Sequence, residues 1–147
     1  DWMRACRHAF LIRHPARVLQ SYAAKREPAD MRDIGFLKQA ELFDRAADLA
    51  GEAPPVIDAE AVLANPEKLL RRLCTALGVS FSAKMLSWPA GPRESDGVWG
   101  AHWYQAVNRS TGFGPPGPAP TLDNPKLKRL EEQALPIYQK LAAFALA

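Results

Sequence analysis

Three residues near the start of the chain have the types and spacing to hold an anion. In "LIRHPARVLQSY" an apolar run ends at Arg13, Pro15 follows two residues later, and Ser21 stands eight residues after the arginine. Arginine is always charged and offers a planar fork of donors suited to phosphate oxygens. Arg17 lies four residues before Ser21, so on a helix the two share one face and could share one anion. His14, in the turn directly after Arg13, suits either a phosphate contact or a local cap. On spacing alone the same pattern also fits an arginine leaving a strand for solvent and a serine on the surface.

Those side chains need a strand, a tight turn and a helix to carry them. Ala9 to Ile12 is a short, continuous apolar run, which predicts a strand buried on both faces of a parallel sheet. Pro15 disfavours helix in the residue before it and fits the first helical position, and Val18, Leu19 and Tyr22 follow at helical spacing. The spacing predicts a helix from Pro15 to about Arg26. An arginine at the carboxyl end of such a strand faces the crevice where open α/β sheets bind ligands. The following helix N-terminus adds partial positive charge there.

Downstream, Leu37, Ala40, Phe43, Ala47 and Ala50 predict a second amphipathic helix closed by Gly51. Val56-Ile57 reads as a second short buried strand ending at Asp58. "NPEKLLRRLCTALGVSF" carries the clearest helix signal: Asn65 as N-cap, Pro66 first, Glu67 at the positive end, Leu69, Leu70, Leu73 and Leu77 as the buried stripe, and Gly78 as terminator.

Beyond Phe81 periodicity fades. "DGVWGAHWYQAVNRS" holds Trp99, Trp103 and Tyr104, suited to stacking on a base or covering an acceptor, with Arg93 and Arg109 suited to phosphate. His102 between the tryptophans is a candidate acid or base. The alternative is that these aromatics anchor an irregular segment onto the core. Residues 113–123 form a Pro/Gly linker, and 124–146 a last helix that Pro136 should kink or divide.

The 147 residues suit one domain with a real core. With 19 basic and 16 acidic residues the charge is only mildly positive, which leaves no footprint for nucleic acid and favours a small anionic ligand. No apolar run approaches a membrane span. His8, His14 and His102 are scattered without metal-ligand spacing, as are Cys6 and Cys74, so no metal is expected. The cysteines read as buried free thiols of a reducing cytoplasm. Asp1-Trp2 shows neither a signal-peptide pattern nor a starting Met, which suggests a piece of a longer chain.

In order, strand, Arg13, helix with Ser21, and the later "NPEKLLRRLCTALGVSF" preceded by Asp58 and Glu60 resemble the PAPS-dependent sulfotransferases, and "HWYQAVNRSTGF" resembles a bacterial branch of that family. The likeness is good over residues 7–27 and 55–81 and looser elsewhere; His14 stands where the family often shows Asn or Asp. The resemblance implies a P-loop NTPase-like three-layer α/β sandwich with a parallel sheet, here a helix-rich C-terminal part of one domain. It implies transfer of a sulfuryl group from 3′-phosphoadenosine-5′-phosphosulfate (PAPS) to a small-molecule hydroxyl or amine acceptor. Arg13 and Ser21 would hold the 3′-phosphate, with Arg17 placed by its helical spacing to share it, and a late loop bearing Trp99, His102, Trp103 and Arg109 would close over nucleotide and acceptor. The family's phosphosulfate loop precedes the Arg–Ser element, and no GxxxxGK[ST] pattern occurs in this chain. Two other readings fit the residues: another P-loop-fold nucleotide enzyme such as a small-molecule kinase, or a non-catalytic helical interaction module.

Overall fold

The computed structural model describes residues 2–26, 30–98, 100 and 104–147. Two parallel strands, β1 (Phe10–Ile12) and β2 (Val56–Asp58), pair in the register Phe10 to Val56, Leu11 to Ile57 and Ile12 to Asp58. The intervening chain forms α1 (Pro15–Ala23) and α2 (Phe36–Ala50); α3 (Ala59–Ala64), α4 (Pro66–Leu77), a short α5 (Gln105–Asn108) and the long α6 (Pro125–Ala142) follow. The chain is therefore mixed α/β, with a small parallel sheet and mostly helix.

Period-two alternation splits the sheet residues between two faces. Ile12 and Val56 pack with Phe43 of α2 and Leu141 of α6 on one face. Ile57 packs with Val62 of α3 and Leu69 of α4 on the other. On that second face Leu11 of β1 is 59% exposed, so the expected burial of this strand on both sides is corrected. The outer edge of β2 is closed by the chain end, through a parallel bridge to Ala145 and a 2.8 Å bond from the Leu146 amide to the Val56 carbonyl. Among the described residues the outer edge of β1 pairs with no strand; the Gln39 side chain donates to the Leu11 carbonyl at 2.8 Å.

A separate apolar cluster joins Ala16 and Leu19 of α1 to Phe36 and to Leu127, Leu130 and Ala134 of α6. Several capping expectations hold. The Asn65 and Asn124 side chains accept from the amides of Lys68 and Lys126, each ahead of a proline. Gly78 ends α4 at φ 61°, and the Arg7 guanidinium donates to the Leu77 carbonyl there.

Other details differ. α1 stops at Ala23, with the amides of Lys25 and Arg26 both closing on the Tyr22 carbonyl, a tightening usual at a helix end. The buried line of α2 is Phe36, Phe43 and Ala46, because the bulky ring at its first residue takes the inner side; Leu37 is 52% exposed. In α4 only Leu69 and Cys74 are fully buried, Leu70, Leu73 and Leu77 lying half-buried at its margins. α6 continues past Pro136 undivided; the proline is exposed, so the Glu132 carbonyl it leaves unbonded faces the solvent side. Cys74 is buried as expected, but Cys6 is exposed in the turn before β1, and both are free. Among the described residues no helix is long and apolar enough to cross a membrane.

Candidate functional site

Both strands point their carboxyl ends the same way, so the residues following Ile12 and Asp58 meet at one end of the sheet. Asp58 is the hinge of this region. Its Oδ1 accepts from the amides of Glu60 (2.7 Å) and Ala61 (3.4 Å), which starts α3. Its Oδ2 accepts a 2.6 Å bond from the Tyr138 hydroxyl of α6. That length is typical of a hydroxyl on an ionised carboxylate. Partial burial, then the bond to Asp58 and the charges of Asp58 and Glu60, push the Tyr138 hydroxyl up to about 12. Tyr138 is therefore a proton-bearing donor at neutral pH and not a base.

His14 settles as the cap of α1. Its Nδ1 accepts from the Ala16 amide at 3.3 Å, and its ring meets Tyr138 edge-on at 5.4 Å. In the neutral ring this leaves the proton on Nε2. His8 is structural, bonded through Nε2 to the Met3 carbonyl at 2.9 Å.

The two arginines have different surroundings. Arg17, with only 13% of its side chain exposed, pairs through Nε with Glu60 Oε2 at 2.7 Å. It also donates to the Gly117 carbonyl of the Pro/Gly segment. Arg13 is 42% exposed, and its Nε lies 4.0 Å from Glu60 Oε1, beyond hydrogen-bonding distance. Among the described residues the Arg13 guanidinium makes no hydrogen bond. Ser21 is exposed one helical turn beyond Arg17.

Two cavities of about 280 Å³ each flank this bridge. One, walled by Ala119 and Pro120, contains His14, Arg17, Asp58, Glu60, Glu131 and Tyr138. Three carboxylates against one guanidinium make it acidic, a poor place for an anion. The other contains Arg13 with Leu11, Val18 and Gln39, and among the described residues Arg13 is the one ionisable group in its lining. Of the two, the Arg13 side is the less hostile to an anion.

The late segment is tied at its base: Ser87 bridges Gly112, the Trp88 indole donates to the Ser110 hydroxyl at 3.0 Å, and the Gly91 amide donates to the Asn108 carbonyl at 2.7 Å. Arg109 is exposed just after α5 and lines neither cavity. Trp99, His102 and Trp103 lie outside the described residues. Among the described residues no cluster of His, Cys, Asp or Glu is suited to a metal ion.

Sequence reasoning missed the partnership of Tyr138 with Asp58 and of Arg17 with Glu60 and the Pro/Gly segment. Tyr138 is legible only as one member of an apolar stripe, and no local pattern announces a partner 80 positions away. Replacing Tyr138 with phenylalanine is expected to lower stability by about 1–2 kcal/mol at neutral pH, the cost of a lost bond to a partly exposed carboxylate. Because the folded value is raised, this advantage of the wild type is complete below pH 10.0 and disappears as pH rises towards about 12. Denaturant unfolding of both proteins across that range should show the difference closing; a constant difference would mean the hydroxyl contributes nothing through Asp58.

A family model described as a sulfotransferase domain matches residues 1–145. Two curated relatives from Arabidopsis thaliana, named branched-chain-amino-acid aminotransferase-like proteins 2 and 1, are 36% and 37% identical over 141 residues. The match takes in 96% of this chain and 25% of each relative, so the chain spans about a quarter of their length. No solved structure matches.

Proposed function

The chain belongs to the sulfotransferase domain family, and from that membership we propose that the whole protein moves a sulfuryl group from PAPS to a small-molecule hydroxyl or amine. The observation that carries the reading is Arg13: a guanidinium at the carboxyl end of a parallel strand, 42% exposed and, among the described residues, without a hydrogen-bonded carboxylate. Its free donors fit a phosphate group, as does the exposed hydroxyl of Ser21.

In this reading Arg13 binds the 3′-phosphate and Ser21 adds a neutral donor from α1. Arg17 does less than its position in the sequence suggests. Held by Glu60 and Gly117, it braces the turn and contributes long-range positive charge. PAPS, when bound, supplies the activated sulfuryl group. Such transfer depends on positioning and on stabilising charge that develops on the transferred group. The fold we propose is P-loop-like, and the 147 residues form the later part of one such domain, with the phosphosulfate loop supplied from outside them. Arg109 and the aromatic segment from Arg93 to Arg109 would cover the ligands, with Trp99, His102 and Trp103 meeting the acceptor. Two unpaired cysteines suit a reducing compartment such as the cytoplasm.

Transfer of labelled sulfonate from PAPS to a panel of alcohols and amines tests the activity. The whole protein should label an acceptor. The 147 residues alone should label none, for want of the loop that grips the phosphosulfate. A whole protein that binds PAPS no better than ATP would end this reading, and turnover by the isolated chain would show that its phosphosulfate-binding element had been misplaced.

A further inference from the structure

Glu60 divides one carboxylate between two arginines unequally. Oε2 holds Arg17 at 2.7 Å, whereas Oε1 is buried, lacks a hydrogen-bond partner among the described residues, and faces the Arg13 Nε at 4.0 Å. A buried carboxylate oxygen without a donor is unfavourable, so this atom has an unmet demand that Arg13 is nearest to supply. Arg13 is also the more exposed of the two and sits over its own cavity. It therefore stands between two anions: the carboxylate beneath it and any ligand that enters from solvent.

We propose that Glu60 is a positioning residue for the anion site, the resident counter-ion that fixes Arg17 and keeps Arg13 in reserve until an anionic ligand draws it away. The inference rests on the reading of Arg13 as the phosphate contact. Its consequence runs against intuition: a carboxylate at the site weakens the binding it helps to organise, because the ligand must compete with it for Arg13. In return Arg13 is kept near the strand end, and Arg17 cannot swing into the same space.

Glu60→Gln separates the two duties. The amide oxygen can still accept from Arg17, and the amide nitrogen takes the place of the unpartnered oxygen, so the brace survives while the competing charge goes. Calorimetry on the whole protein would compare adenosine 3′,5′-bisphosphate with adenosine 5′-monophosphate. The substitution should tighten the bisphosphate about two- to fivefold, the range for a partly exposed ion pair, and leave the monophosphate unchanged. A purely structural role predicts the opposite, weakening of both. Should Glu60→Gln fail to fold, Glu60→Asp serves: it keeps the charge but withdraws it from Arg13 by one methylene, and should tighten the bisphosphate by a smaller factor. Unchanged or weaker bisphosphate binding in the folded variants overturns the role of Glu60 alone, provided the wild type prefers the bisphosphate. A wild type indifferent to the 3′-phosphate overturns the Arg13 reading and this inference with it.

Discussion

Replacing Arg13 with alanine in the whole protein is expected to weaken adenosine 3′,5′-bisphosphate roughly ten- to a hundredfold and to leave adenosine 5′-monophosphate nearly unaffected. The scale follows from one charge-assisted contact, about 1.5–3 kcal/mol, taken towards its lower end for a partly exposed side chain. The selectivity is the informative part. A general loss of fold or of positive potential would weaken both nucleotides, whereas loss of a direct 3′-phosphate contact weakens one. Arg17→Ala should behave differently, because its guanidinium is already bound to Glu60 and to Gly117. Removing it leaves the Glu60 carboxylate without its close partner, so the cost should appear first in stability. Calorimetry with both nucleotides, alongside thermal unfolding, distinguishes the two arginines. Equal weakening of both nucleotides in Arg13→Ala would remove Arg13 from the phosphate.

The largest effect on stability is expected at Leu141. This side chain is fully buried near the end of α6 and packs in one cluster with Ile12, Phe43 and Val56, so it links the last helix to both strands and to α2. Leu141→Ala should cost about 2–5 kcal/mol, the spread reflecting how far the neighbours can close the cavity. The same cluster seats the strand ends that carry Arg13 and Asp58. Part of the loss should therefore appear as weaker nucleotide binding before the protein unfolds. Denaturant unfolding followed by Trp emission would measure the first effect. A change below about 0.5 kcal/mol, the usual figure for an exposed site, would mean that α6 does not pack on the sheet in this way.

The parts of the fold that were legible in the sequence are those with local chemistry. Asn65-Pro66 and Asn124-Pro125 announce helix starts because an amide side chain and a proline meet the needs of a first turn without help from the rest of the chain. Gly51 and Gly78 announce ends for a related reason, both adopting the left-handed conformation that few other residues tolerate. The short apolar runs Ala9 to Ile12 and Val56-Ile57 sufficed to place two strands. α3 was lost because its six residues follow β2 without a break and carry no full helical repeat. The inner face of α2 was misread because a periodic pattern gives a stripe but not which of two adjacent stripes a neighbour will cover.

Within the site the same division holds. The strand end before Arg13 and the capping geometry of His14 follow from near neighbours. The assignment of Arg17 to Glu60 and of Tyr138 to Asp58 depends on where distant elements come to rest, and composition carries no record of that. The Pro/Gly stretch was legible as a linker, yet it also supplies one wall of a cavity and a carbonyl for Arg17. A segment unable to join a sheet or helix still has carbonyls to offer.

The exposed side of β1 also bears on how this polypeptide behaves in company. Among the described residues this strand has one unshared edge and an apolar side chain projecting from its face, a template on which another backbone can lie. Gln39 stands guard at that edge, occupying the Leu11 carbonyl with a side-chain donor. It is a light guard: one amide, reaching 2.8 Å across, exchanges with water or with a stranger's peptide group at little cost. In concentrated solution the edge and face around Leu11 are where a second backbone would first add to the 147 residues.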